Sequence, residues 1–92
     1  MRHIDLKHHV TSDGRIVKTG NGIEIPMNEP MALFRGRDKL ALPLLEHYRK
    51  LCVEDGCNDF QLGQMDELIE RFRRFTQEHP ENMKQPGVTR GL

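Results

Sequence analysis

Residues 38–56, DKLALPLLEHYRKLCVEDG, and residues 58–80, NDFQLGQMDELIERFRRFTQEHP, decide the fold. In the first stretch Ala41, Leu44, Leu45, Tyr48, Leu51 and Cys52 recur at helical spacing and form one apolar stripe. Glu46, His47, Arg49 and Lys50 fall on the other side of the same helix. Asp38 supplies a carboxylate that can accept the orphan N–H groups of a first turn, so a helix is expected over residues 38–55. Pro43 lacks an N–H and crowds the carbonyl of Lys39, which predicts an irregular or kinked first turn, or a start nearer residue 42. Asp55-Gly56 closes the helix, glycine taking the left-handed position beyond the cap.

The second stretch repeats the pattern. Leu62, Met65, Leu68, Ile69, Phe72 and Phe75 form a 3.6-residue stripe, Asn58 or Asp59 can cap its start, and His79-Pro80 stops it, giving a helix over 59–79. Gly63 weakens its early turns. Glu67 with Arg71 and Glu70 with Arg74 stand four apart in the favourable order. So short a connection makes the two helices antiparallel neighbours that bury their stripes on each other and on a sheet.

That sheet is read from the N-terminal part. Ile4, Leu6, His8 and Val10 alternate with polar residues at the period of a half-buried strand, and Ser12-Asp13-Gly14-Arg15 marks a turn. Ile16-Val17, then Gly20-Asn21-Gly22, then Ile23-Glu24-Ile25 predict a second hairpin with a type I′ turn at Asn-Gly. Pro26 ends the meander, and Met27 to Pro30 connects it to Met31-Ala32-Leu33-Phe34, an apolar run read as strand or buried extended segment. The expected fold class is therefore α+β. A short antiparallel meander over about residues 4–26, with 31–34 as a candidate addition, packs against a C-terminal helical hairpin. Residues 1–80 form one domain, and 81–92, poor in large apolar side chains, an extended or frayed tail.

Composition narrows the functional classes. With 92 residues, 36% apolar and 30% charged, the chain can form one thin core, or one completed by a partner such as a second copy. Fourteen basic residues balance fourteen acidic ones, against a general polyanion binder, although residues 1–37 hold six basic and four acidic groups and residues 38–79 six and nine. No run of about 18 apolar residues occurs and the N-terminus lacks an apolar signal core, so the expected location is the cytoplasm, with Cys52 and Cys57 reduced.

No catalytic constellation is recognisable: serine occurs once, at Ser12 in a predicted turn, and there is no nucleophile elbow or phosphate loop. The chain is read as a non-enzyme without cofactor. His3, His8 and His9 with Asp5 are metal candidates, but strand alternation sends His8 and His9 to opposite faces. Cys52, Cys57 and His47 lack the second ligand pair of a structural zinc site. Both groups are read as ordinary surface or packing residues, and no metal is expected. Arg71, Arg73 and Arg74 point in different directions beside Glu67 and Glu70 and are read as a solvated face.

One local feature does suggest binding. Arg35, Arg37 and Lys39 flank Asp38 at a helix start, where cations, free N–H groups and the helix dipole could hold a phosphate or RNA backbone. Asp38 argues against it by occupying those donors. The competing readings are a solvated loop and a partner-docking surface.

Residues Ile25-Pro26-Met27-Asn28-Glu29-Pro30, then Leu33 to Ala41, Tyr48 and Glu78-His79-Pro80-Glu81, resemble small uncharacterised proteins of bacteriophages and prophages, over roughly residues 14–87. The resemblance carries no residue of known role. It implies a host-cell setting in which small proteins bind and block host machinery, including CRISPR effector complexes. The function it implies is anti-CRISPR-like inhibition of a host defence complex, a ribonucleoprotein among the candidates, by protein–protein contact, with a local RNA or phosphate contact as an adjunct. The alternatives are a nucleic-acid-binding module and a virion structural or assembly protein.

Overall fold

The structure, a computed structural model, describes residues 2–5 and 7–85. It falls into two compact units, residues 1–32 and 33–92, where the sequence pattern predicts one domain over 1–80. The first is an antiparallel meander and the second contains the helical hairpin, so the α+β class holds.

In the meander, β1 (Arg2–His3), β2 (His8–Val10) and β3 (Ile16–Lys18) lie in the order β1-β2-β3. His3 pairs with His9, and His9 in turn with Val17. The expected continuous first strand from Ile4 to Val10 is broken. Asp5 turns the chain there, its Oδ1 accepting the N–H groups of Lys7 and His8, both at 2.7 Å. A short acidic side chain that captures nearby backbone donors outcompetes the ladder, which period-2 hydropathy alone does not register. Leu6, counted in that strand, lies outside the described residues.

The second turn falls where expected: Thr11 N–H donates to the Arg15 carbonyl at 2.8 Å and Gly14 N–H to the Thr11 carbonyl at 3.0 Å. The third differs in type. Lys18 N–H donates to the Ile23 carbonyl and Gly22 N–H to the Lys18 carbonyl, both at 2.8 Å, so four residues make the loop. Gly22 takes φ +72° and no non-glycine residue among those described has positive φ, whereas a type I′ turn would need positive φ at Asn21 too. Residues 23–25 return alongside β3 through a Val17–Glu24 bridge and the Ile25 N–H to Ile16 carbonyl bond at 2.9 Å, too short a pairing to count as a strand. Val17 is buried. Met31, Leu33 and Phe34 are exposed and form no strand, so the expected addition over 31–34 is absent.

In the second unit, α1 (Ala41–Glu54) and α2 (Asp59–Glu78) pack together as the hairpin. The helix begins later than residue 38. Its N-cap is Leu40, without a side-chain hydrogen bond, and Asp38 caps a preceding turn instead, its Oδ1 accepting Leu40 N–H at 2.9 Å. Pro43 is thereby the third residue of α1, within the first turn, where N–H groups have no intrahelical acceptor and proline costs little. Cys57 N–H to Cys52 carbonyl at 3.0 Å and Gly56 N–H to Val53 carbonyl at 3.1 Å, with Gly56 at φ +83°, form a Schellman motif that ends α1. One residue later Asn58 opens α2 with a capping box: its Oδ1 accepts Gln61 N–H at 2.8 Å and Gln61 Oε1 accepts Asn58 N–H at 3.1 Å.

The α2 stripe is buried or half-buried throughout, with Ile69 at its centre. The α1 stripe is not one surface but two. Ala41, Leu45 and Cys52 are buried or half-buried, while Leu44, Tyr48 and Leu51 stay about half exposed. Ion pairs tie the helices on the side of Arg49, which meets Asp66 in a two-pronged bond, and Arg73 lies 3.8 Å from Glu46 and 2.7 Å from Glu70. Both expected pairs along α2 form, Glu67–Arg71 at 3.2 Å and Glu70–Arg74 at 4.0 Å, with Arg73 the nearer partner of Glu70.

After α2 the chain does not fray at once. A 3-10 turn (Pro80–Asn82) follows, and Lys84 pairs in parallel with Asp38, which replaces the expected tail over 81–85. The remainder of that tail, 86–92, lies outside the described residues.

Candidate functional site

Arg35, Arg37 and Lys39 sit on a segment whose backbone is held from three directions. Asp38 N–H donates to the Arg35 carbonyl at 3.0 Å, closing a tight turn. Lys84 N–H donates to the Arg37 carbonyl at 2.7 Å and its carbonyl accepts Lys39 N–H at 2.9 Å. Gly36 lies so close to Phe75 of α2 that a Cβ there would stand 3.2 Å from the ring. Backbone bonds thus fix the segment and leave its side chains outward. All three cations are exposed, and among the described residues none forms an ion pair.

The helix start offers less to a phosphate than the sequence suggests. Leu40 N–H is committed to the Asp38 carboxylate at 2.9 Å, Ala41 N–H to the Asp38 carbonyl at 3.0 Å, and Pro43 has none. Any anion would meet the three side chains rather than a nest of backbone donors. Next to these cations stand Leu33, 72% exposed, and Phe34, 43% exposed. Hydropathy marks both as candidate core. Nothing in the local pattern marks them otherwise.

The other candidates disperse. The His8 ring Nδ1 lies 3.0 Å from Asp5 Oδ1, and His9 Nδ1 lies 3.0 Å from Thr19 Oγ1. Partial burial pushes the Asp5 carboxyl up, but hydrogen bonds from Lys7 and His8 outweigh it and hold the group below its ordinary value. Cys52 and Cys57 are half-buried beside Tyr48, whose hydroxyl is pushed up chiefly by the charge of Cys52, then by burial. These three residues with Leu51, Glu54 and Asp55 line an open cleft of about 480 Å³. Among the described residues no three His, Cys, Asp or Glu side chains gather as metal ligands, and no helix is long and apolar enough to cross a membrane.

Comparisons with protein-family models, curated proteins and solved structures each return no match.

Proposed function

We propose that this chain is a small binding protein that blocks a host defence complex by protein–protein contact, in the manner of an anti-CRISPR inhibitor. The observation that carries the binding half is the pairing of exposed Leu33 and Phe34 with exposed Arg35, Arg37 and Lys39, whose backbone is held over residues 35–39. Aromatic and arginine anchors on a pre-ordered segment make strong contacts because little conformational freedom is lost on docking. The host setting rests on the resemblance to small phage proteins. The matching surface would be acidic with an apolar pocket.

The test is expression in a host whose defence targets a plated phage, with affinity purification and mass spectrometry of what co-purifies. Restored plating and co-purification of the defence complex, both lost in Phe34→Ser/Arg35→Glu, are expected. No effect across several defence types would sink the reading.

The three cations without ion pairs also favour a second reading, a nucleic-acid-binding module. Its affinity should fall steeply with salt, by a slope set by the number of phosphates neutralised. Binding that is absent or insensitive to salt would rule it out.

A further inference from the structure

The outer face of α1 is apolar along its whole length. Leu40, Leu44, Tyr48 and Leu51 follow one another at steps of 4, 4 and 3 and are 53, 44, 52 and 46% exposed. This is a second helical stripe beside the one that packs in the hairpin. Isolated exposed leucines are ordinary, whereas a continuous apolar stripe is the kind of patch that often serves as a contact surface.

The charges at the two ends of the stripe say what covers it. Arg35, Arg37 and Lys39 precede α1, whose first turn holds no acidic residue. Glu54 and Asp55 end it, and its last turn holds no basic one. Among the described residues neither Glu54 nor Asp55 forms an ion pair. Apart from Asp38, committed to Leu40 N–H, this arrangement opposes the helix's own dipole at both ends. A second α1 laid antiparallel on the stripe reverses every one of these terms.

The centre of the stripe is self-complementary as well. Leu44 and Tyr48 lie two positions before and after Glu46 within the helix, with the cations before its start and Glu54 and Asp55 at its end. A two-fold axis level with Glu46 therefore sets Leu44 of one copy against Tyr48 of the other and brings the cations before one helix towards Glu54 and Asp55 at the end of the other, twice over. The geometry points to an isologous homodimer through the outer face of α1. Two such faces with their charged ends bury about 1,000 Å² in all, the low end of specific interfaces, where weak and transient association is found. The pairing goes beyond the inhibitor reading and does not depend on it. It would also present the two Leu33-Phe34-Arg35 segments at opposite ends of a helix pair about 20 Å long.

The experiment is sedimentation equilibrium of the full chain, nuclease-treated, from micromolar to sub-millimolar concentration. Wild type should pass from monomer to dimer. Leu44→Glu, which alters a side chain already at the surface, should remain monomeric with an unchanged far-ultraviolet dichroism spectrum. Asp55→Arg and Arg37→Glu should each weaken dimerisation about tenfold or more, and the double variant should regain it, because each copy contributes both charges. A wild type that stays monomeric throughout, including one that captures only a different protein, overturns the proposal. So does a Leu44→Glu dimer or a double variant no better than its singles; should Leu44→Glu misfold, the charge pair decides alone.

Discussion

Lys84 and Asp38, 46 positions apart, pair in parallel, so the chain beyond α2 returns to hold the segment in front of α1. Both hydrogen bonds involve only the Lys84 backbone, one to the Arg37 carbonyl and one from Lys39 N–H. The side chain at 84 is exposed and takes no part in them.

Replacing that side chain should therefore do nothing, while removing the N–H should matter. Lys84→Ala is expected to melt with wild type. Lys84→Pro should lose about 0.5–1.5 kcal/mol of stability and speed amide exchange at Lys39. Equal melting temperatures for the two variants would contradict this account.

Gly36 is not a matter of backbone freedom, since its φ is not positive. Its role is clearance, because an added Cβ would press on the Phe75 ring at 3.2 Å. Gly36→Ala should destabilise by about 1 kcal/mol, and Phe75→Leu in the same chain should recover part of the loss. Urea unfolding of the single and double variants checks both statements.

The capping box at Asn58 satisfies donors that otherwise have no partner at the start of α2. Asn58→Ala should cost about 1 kcal/mol, whereas Asn58→Asp should be neutral or stabilising through the helix dipole. Thermal melts in low salt suffice to compare them.

Asp5 gives the meander a pH dependence of known sign. Its folded pKa lies below its ordinary value of 3.8. The carboxylate therefore contributes stability that is present above that value and lost as pH falls through the folded pKa. Asp5→Asn should lower the melting temperature near neutrality and flatten its decline in acid. A variant whose acid limb parallels that of wild type would remove Asp5 from the turn's energetics.

Arg49 and Asp66 join the helices at the surface, where both side chains remain partly exposed. A double-mutant cycle to alanine should give a small favourable coupling that shrinks in high salt. A salt-independent coupling would mean the pair acts through packing instead.

The two helices, the Gly56 stop, the Asn58 start and the pairing of Glu67 with Arg71 all follow from interactions within a few residues, so the local sequence contains them. The same holds for the turn at residues 12–15 and for the three cations as a cluster. What local sequence does not contain is the partner of each exposed or half-exposed group. Hydropathy marks Leu44, Leu45, Tyr48 and Cys52 alike as apolar, and only the position of α2 decides that Leu45 and Cys52 turn inward while Leu44 and Tyr48 do not. Asp5 reads as one polar residue in an alternating run until its carboxylate is seen holding two backbone N–H groups. Lys84 reads as tail, since a backbone-only bridge across 46 positions leaves no mark on side-chain pattern. Short-range hydrogen bonds and periodic burial are written in neighbouring residues, whereas the choice among equivalent apolar faces and the closure of distant backbone groups is settled by which elements meet in space.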